Sequence, residues 1–563
     1  MSIRRQVELD ALGTGVSVML GPVVGVVGPD CARILLEVDT STTVMCHLSR
    51  QESVTGQWLE VDAARVTMEC TMGRPSVFCV MNLLPGTQYA YAFSGISETD
   101  ATSRCGCFHT LHVSDAPIQV GVVSGNDLLA SNSTDVWGRL SETIDRAALG
   151  DVLPPPVHYL LHLGGQVVLE GVFEQCWVML TRFASSSAAT ASSTWATMEA
   201  QVVERMRAAY RFQWSLPAIR HVLANTSNVM LWSDQDIYCD FTTSATFNMD
   251  HDAPSMQMQV MRVLLRSARR VYHEYQRQLW DTNYAVFVAD TVYTMCPWSF
   301  HAFDEKQVAM AKRKMEFDMV KRCEARLAEL QARRAELQVQ CMTLREQTAP
   351  RRGEECFVQV GSDMGFLMLD MRGTKLSPAG AQAPDNPVLS PEQWDFVVGV
   401  LADATLRLLV VCSELPLADD TTASIQAFMA AKAKPSDSSM GHRTPCQSWW
   451  GTAPRDQERL LTLLSEWKLQ KPNRDVVLLS GASSMRCALA STVTDVKMRT
   501  TLRQHVVGPV AGPCRPVCIP SKAGVLGDGG RFEFCHDVVL PHENNFAMLT
   551  LAAADGRDPV VTC

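Results

Sequence analysis

The stretch "HLGGQVV", His162 to Val168, closes an apolar run, "VHYLLHLGGQVVLEGVF", that reads as a buried strand leaving the core into a loop. Hydrolytic enzymes of α/β build often place a carboxylate in such a loop to hold a metal ion. Here the loop offers Gly164, Gly165 and Gln166, and the next carboxylates are Glu170 and Glu174. It is therefore a metal site with a displaced ligand, a metal site that has been lost, or a turn. Acidic groups also stand at the ends of other apolar runs, among them Asp127 (with Asn126 beside it) in "VSGND" and Asp234 and Asp236 in "WSDQDIYCDF". Glu170 or Glu174, turned toward Asp127 and Asp234, could hold one Mg²⁺ or Ca²⁺, since both ions take oxygen ligands. Backbone N–H groups of the same loops could instead bind a phosphorylated ligand without hydrolysing it.

Other chemistries find less support. "SGASS" (480–484) is not a G-x-S-x-G elbow, and no Ser-His-Asp order can be argued. "GVVSGND" has too few glycines for a dinucleotide loop. His158, His162, His221 and His251 are read as packed or solvated histidines rather than ligands. Trp449 and Trp450, in "CQSWWGTAPRDQERLL", read as a core or lid cluster ahead of a helix. The 19 cysteines include "CGC" (105–107) and "CRPVC" (514–518), but neither has a second pair at metal-binding spacing. In a reducing compartment they serve mostly as small buried hydrophobes.

Composition narrows the class. A hydrophobic fraction of 47% and a charged fraction of 20% are those of an ordinary folded protein, and 563 residues imply more than one domain. The net charge of −10 offers no basic footprint for nucleic acid. No window of about 18 uncharged apolar residues suggests a membrane span. "MSIRRQVELDALGTG" has Glu8 and Asp10 directly after its arginines, which fits neither a signal peptide nor a mitochondrial presequence. The expected address is cytoplasmic.

The elements that must position these residues fall into two kinds. Residues 17–113 read as short strands, with the turn signal Gly28-Pro29-Asp30 and the run "LLPGTQYAYAFSG". A Pro-Gly turn followed by Tyr89 and an alternating strand is the local pattern of a tyrosine corner, so residues 1–115 are expected to form a fibronectin type III-like or immunoglobulin-like β-sandwich. From 116 to 563 the pattern is α/β. "APIQVGVVSGNDLL", "VHYLLHLGGQ", "NVMLWSDQDIY", "GFLMLDMRG", "LRLLVVCSELPL" and "DVVLLSGASS" are apolar strands ending in polar or glycine-containing loops. "TMEAQVVERMRAAYRFQW", "MQVMRVLLRSARRVYHEYQRQLW" and "RDQERLLTLLSEWKLQ" are helical patterns between them. This order predicts a layered α/β domain with its site at the strand ends.

Two segments interrupt it. "FASSSAATASSTW" reads as a low-complexity loop. Residues 304–352 read as a long helical insertion. Over 304–347, Val320, Cys323, Leu327, Leu330, Leu337, Cys341 and Leu344 recur at 3-4 spacing and Arg334 breaks the stripe. That makes about three heptads, enough for a short coiled coil or for an amphipathic helix lying on its own domain.

The order of these segments resembles the PhoD-like (alkaline phosphatase D-like) metallophosphatases over nearly the whole chain. The resemblance rests on "GPVVGVVGPDCARILLEVD" and "LLPGTQYAYAFSG", then on "VSGNDL", "HLGGQVV", "VLANTSNVMLWSDQDIYCDF", "YHEYQRQLW", "FLMLDMRG", "LVVCSELPL", "LLSGASS" and "NNFAMLTL". It implies a calcineurin-like phosphoesterase domain behind a β-sandwich. The chemistry it implies is phosphoester hydrolysis by two cations that activate a water and stabilise an in-line transition state. Members usually carry Asp in a His-Leu-Gly-Asp-Gln loop, an Asp-Asp-His-Asp or Asp-Asp-His-Glu run, and a late Gly-Asp-x-His run. On that pattern the loop Asp falls on Gly165, which has no side chain. Ser233 stands for the first Asp of the second run, Asp234 keeps the second, and Gln235 replaces the His. Ala482 and Ser484 stand for the Asp and His of the third. An amide cannot exchange a proton near pH 7 as imidazole does, and a serine hydroxyl is a poor metal ligand beside imidazole.

The expectation is thus a pseudoenzyme without resident cofactor, keeping Asp127, Asp234 and Asp236 as remnants of the site. It would act as a structural or interaction protein, with partners met in part through the 304–347 helix. A cytoskeletal, ciliary or axonemal assembly is one setting this reading allows. The alternatives are a phosphoesterase with relocated ligands holding one or two divalent metals, or a phosphate-ester-binding sensor.

Overall fold

A computed structural model of the chain describes residues 15–52, 55–97, 104–112, 117–131, 134–148, 156–186, 192–237, 256–281, 325, 328, 353–372, 388–418, 450–481, 487–512, 521–527, 529–541, 544–552 and 560–562. Of the 304–352 insertion, only Ala325 and Ala328 are described, both helical and exposed, so the expected coiled coil lies outside the described residues. So do Ala482, Ser484, His251 and Trp449.

The N-terminal strands are β1 (Val18–Val27), β2 (Ala32–Val38), β3 (Thr42–Gln51), β4 (Trp58–Glu60), β5 (Val66–Cys70), β6 (Ser76–Val80), β7 (Gln88–Ser94) and β8 (Cys105–His109). They form two antiparallel sheets. One is ordered β1-β2-β6 and the other β4-β3-β7-β8, with β5 also on β3. Alternating residues from both sheets, among them Ile34, Phe78, Val44, Tyr91 and Phe93, enclose one core. Tyr89 is buried, stacks on Phe108, and accepts a hydrogen bond from the Leu84 N–H at 2.8 Å.

The second part begins with β9 (Ile118–Asn126), helix α1 (Asp135–Ala148), β10 (Val157–His162), α2 (Glu170–Ala184), α3 (Ser192–Trp214), α4 (Pro217–Asn225), β11 (Ser227–Met230) and α5 (Met256–Tyr275). It continues with β12 (Cys356–Val360), β13 (Met364–Met368), α6 (Pro391–Leu401), β14 (Leu408–Ser413), α7 (Pro454–Leu469) and β15 (Asp475–Gly481). The chain finishes with β16 (Cys487–Asp495), β17 (Thr500–Val507), β18 (Pro509–Ala511), β19 (Ala523–Leu526), β20 (Phe532–Pro541), β21 (Ala547–Ala552) and β22 (Val560–Thr562).

These strands divide between two sheets. The first runs β11-β10-β9-β21-β22, with β18 also on β9, and the second β12-β13-β14-β15-β17-β16-β20-β19. The central pairs β9–β10–β11 and β13–β14–β15–β17 are parallel, and each sheet carries antiparallel strands at one side or both. Period-2 alternation assigns the faces. Tyr159 and Leu161 of β10 pack with Phe366, Val410 and Val477 of the other sheet, while Leu160 points back to α1–α5. Leu367, Leu409 and Leu478 face α6 and α7. The layers are therefore helices, sheet, sheet, helices. The strands of this core are buried on both faces and carry no polar alternation, which is why they read as continuous apolar runs.

Local signals fix the helix starts. Pro217, Pro391 and Pro454 stand at first helical positions, and the Ser390 hydroxyl accepts from the Gln393 N–H. The low-complexity stretch is not all loop: Phe183 and Ala184 end α2, and Ser192–Trp195 begin α3. The helical pattern ending at Trp280 is also shorter than its sequence suggests, since α5 stops at Tyr275 and a 3₁₀ turn follows over Arg277–Leu279.

The N-terminal sheets are bonded to the α/β layers. The Tyr159 and Tyr91 hydroxyls donate to the Val27 and Ala224 carbonyls at 2.6 and 2.8 Å. Fully buried Glu37 accepts from Arg211 and from the Tyr275 hydroxyl.

Candidate functional site

Strands of both sheets end at the same place. β9 closes on Asn126, and Asp127 follows; after β10 come Gly164, Gly165 and Gln166; after β11, Ser233 to Asp236; after β13, Asp370 and Arg372; after β14, Glu414. Gly164 and Gly165 have φ of 97° and 68°, left-handed values that suit glycine, and they turn the chain sharply out of β10. Their carbonyls accept from the Gly125 and Asn126 N–H groups at 2.9 and 2.8 Å, fastening the loop to β9.

Gly165, Ser233 and Gln235 meet. The Gly165 N–H donates to Ser233 Oγ at 2.7 Å. The Gln235 amide oxygen lies where a side chain at Gly165 would project. A Cβ at Gly164 would stand 2.7 Å from Ser233 Cβ and 3.2 Å from Glu414 Cγ. The loop is thus filled from the β11 side and bounded by β14. A cavity of about 10 Å³ remains behind it, lined by Ser124, Asn126, His162 and Gln166, with room for roughly one water.

The sequence candidates take separate roles. Asn126 accepts from Trp137 Nε1 at 3.0 Å and donates to the Gln166 carbonyl at 3.2 Å, so it ties three segments together. Asp127 is half-buried, and its N–H bonds to Ala511 on β18. Glu170 and Glu174, both half-buried, lie in the first turns of α2. Asp236 is a fully buried anchor. It accepts from the N–H groups of Val167 and Ser233, from Ser233 Oγ and from Gln276 Nε2, at 3.1 to 3.3 Å. Burial pushes its carboxyl up to about 7, against the pull of those donors. His162 bonds to Asn228 Oδ1 at 2.9 Å, and burial lowers it to about 4, so it is neutral. His158 is likewise buried and lowered to about 4, while His221 faces Asp145 at 2.7 Å. Trp450 is a core residue, donating to Ser413 Oγ.

Asp234 meets two residues that the sequence reading did not single out. Arg372 Nε and Nη2 donate to Glu414 Oε2 and Oε1 at 2.6 and 2.9 Å, and Nη2 lies 3.5 Å from Asp234 Oδ2. The Asp234 N–H also reaches Glu414 Oε1 at 3.4 Å. All three side chains are buried. Burial lifts the Glu414 carboxyl to about 8; Arg372 opposes the rise and Asp234 adds to it. The available signal was charge close behind a wholly buried strand: Glu414 directly after β14 in "LVVCSELPL", and Asp370 and Arg372 shortly after β13 in "FLMLDMRG".

Four layers, with strand ends of both sheets converging on one loop cluster, make up an α/β fold that has solved counterparts. The particular likeness is to PhoD: a solved structure of that protein superposes with a TM-score of 0.55 at 12% identity, covering 96% of this chain and 84% of that one. A structure of purple acid phosphatase PPD1 from yellow lupin (Lupinus luteus) seeds aligns at 9% identity over 95% of this chain and 70% of that one, with a TM-score of 0.41. No protein-family model matches the sequence, and no curated protein matches it significantly.

The described residues of these loops do not fit the two-cation centre that the sequence resemblance to PhoD-like metallophosphatases implies. A dinuclear site needs anionic oxygens and imidazoles around the ions. At Gly165 the space for such a ligand holds the Gln235 amide, and the Asp234 and Glu414 carboxylates face a guanidinium. Among the described residues, no three His, Cys, Asp or Glu side chains converge as a metal-binding group.

Proposed function

We propose that this chain is a catalytically inactive PhoD-like phosphatase homologue that serves as a structural or interaction protein. The observation that carries the reading is the pairing of Gly165 with Gln235: one position lacks a side chain, and the other fills the space with a neutral amide. A side chain at Gly165 would meet the Gln235 amide and require it to move, so the loop is packed as a turn.

In this reading the site remnants Asp127, Asp234 and Asp236 serve packing and charge balance. Residues 1–115 act as a fibronectin type III-like or immunoglobulin-like domain, supported by the corner bond of Tyr89, and 116–563 as the phosphatase-like domain. Protein partners are met in part through residues 304–347, and a cytoskeletal assembly is one setting for them.

The test is metal content by inductively coupled plasma mass spectrometry on protein purified without chelator, together with hydrolysis of bis(p-nitrophenyl) phosphate in added Mn²⁺, Zn²⁺, Ca²⁺ or Fe²⁺. The expected result is trace metal and no turnover above buffer. About two equivalents of metal, with turnover abolished by Asp234→Ala, would replace this reading with that of a phosphoesterase with relocated ligands.

A further inference from the structure

We propose that His109, His112 and His158 form an acid-sensitive joint between the N-terminal sheets and the α/β layers, one that loosens when the rings take up protons. His158 lies near the start of β10, at the opposite end of that strand from the loop of Gly164 and Gly165. The joint is therefore separate from the strand-end cluster and independent of any chemistry there.

His109 ends β8 of the N-terminal sheets, and His112 follows it in the chain. The rings of His109 and His158 meet across the junction, edge to face, with centroids 6.3 Å apart. Bonds between the two parts stand beside both rings. Two residues before His109, the Cys107 N–H donates to Asn225 Oδ1 at 3.0 Å. Directly after His158, the Tyr159 hydroxyl donates to the Val27 carbonyl at 2.6 Å.

His158 is held as a hydrogen-bond acceptor. Between Val157 and Tyr159, β10 advances two residues while β9 advances one, from Gln119 to Val120. The extra residue is His158, and its Nδ1 accepts the Gln119 N–H at 3.2 Å. A backbone N–H only donates, so Nδ1 carries the lone pair and Nε2 the hydrogen. Protonation would set one N–H against another and release Gln119, whose side chain reaches on to Thr550 Oγ1 of β21 at 2.6 Å.

The charges around the rings have one sign. Among the described residues, His112 acts on both His109 and His158, His109 acts on His158, and no carboxylate acts on either. Cys105 and Cys107 share the β8 face of His109. Asp145 of α1 acts on the Cys107 thiol but is not among the groups acting on the rings. Gln88 of β7, Gln119 of β9 and Thr550 of β21 are neutral neighbours. A protonated ring would thus find no counter-ion. Burial and the neighbouring histidines hold His109 and His158 down to about 4, against about 6.5 in an unfolded chain. The closed joint therefore binds fewer protons than the open one. Its stability is fully present above about pH 6.5 and is lost as pH falls toward 4.

The test is hydrogen–deuterium exchange of the full chain by mass spectrometry at about pH 7.5 and about pH 5, corrected for the intrinsic exchange rate at each pH. Two rings lowered this far raise the opening equilibrium by up to about 30-fold each between those values. Wild type should therefore lose at least about tenfold of its protection in peptides covering 105–112 and 118–122, while β14 and β15 keep theirs. A local readout is needed because Asp236, with its raised carboxyl, moves global stability in the opposite sense. His158→Gln keeps an acceptor for the Gln119 N–H and takes up no proton. It should remove about half of the fall on a logarithmic scale, and His109→Gln/His158→Gln nearly all of it. The wild-type pattern decides even if the variants do not fold: a loss confined to the joint supports the proposal. Equal protection there at both pH values overturns it, as does a loss shared by β14 and β15, which is global unfolding. A loss that persists undiminished in His158→Gln overturns it as well.

Discussion

The Gln235 side-chain oxygen occupies the space above Gly165, and Ser233 Oγ accepts that glycine's N–H at 2.7 Å. The β10 and β11 loops are therefore packed into each other. A side chain added to either must displace the other, and this governs how the site responds to substitution.

Gly165→Asp should destabilise the chain by about 2–4 kcal/mol, combining a left-handed backbone with overpacking. In a Gln235→Ala background the added cost should fall by at least about 1 kcal/mol, because the packing part is relieved while the positive φ remains. Urea unfolding of the four proteins measures this. Equal costs in both backgrounds would show that the two positions are not coupled.

Asp236 gives the stability curve a slope. Burial raises its carboxyl to about 7, against about 3.9 in an unfolded chain. The folded state keeps a proton that the unfolded state releases. The resulting stability is fully present below about pH 4 and is lost as pH rises through about 7. Stability measured in urea from pH 4 to 9, with Asp236→Asn subtracted from wild type, should show a difference that declines up to about pH 7 and is flat above it. A difference that rises with pH would mean that the four donors around Asp236 outweigh its burial.

Tyr89→Phe keeps the ring stacked on Phe108 and removes the acceptor for the Leu84 N–H. The expected loss is about 1 kcal/mol in chemical denaturation. Tyr91→Phe removes a different bond, to the Ala224 carbonyl on the α/β side, and should cost about the same.

Glu37→Gln should cost about 2–4 kcal/mol, since Arg211 and Tyr275 both converge on a carboxylate that has no exposure. The same change combined with Arg211→Met should recover part of the loss. A melting temperature unchanged in the single variant would show that this ion pair does not fasten the N-terminal sheets.

Much of the architecture could be read before folding. The strands around "VHYLLH", "LLVVCS" and "DVVLLSG" are uniform apolar runs because both of their faces are covered, and their polar ends mark where loops leave the core. Tyr89 stood out through the Pro-Gly turn ahead of it. The same uniformity hid the division into two sheets, because a strand buried on both sides carries no periodicity that says which neighbour lies on which side. The strands from β16 to β20 were missed for a related reason: buried positions alternate with partly or fully exposed ones along them, so no uniform apolar run marks them.

The sequence by itself determined which chemical groups stand at the strand ends: a glycine at 165, an amide at 235, and aspartates at 127, 234 and 236. Those identities follow from the order of residues along each apolar run. Tertiary structure alone decided their company. Gly165 and Gln235 lie 70 positions apart, and Asp234, Arg372 and Glu414 come from three loops on two sheets. Such meetings depend on the order in which strands pair and on how the sheets stack, and neither is encoded in local spacing. That is why the surroundings of Asp236, read from the sequence as a remnant of the site, and the arginine beside Asp234 came to light only once the loops were seen together.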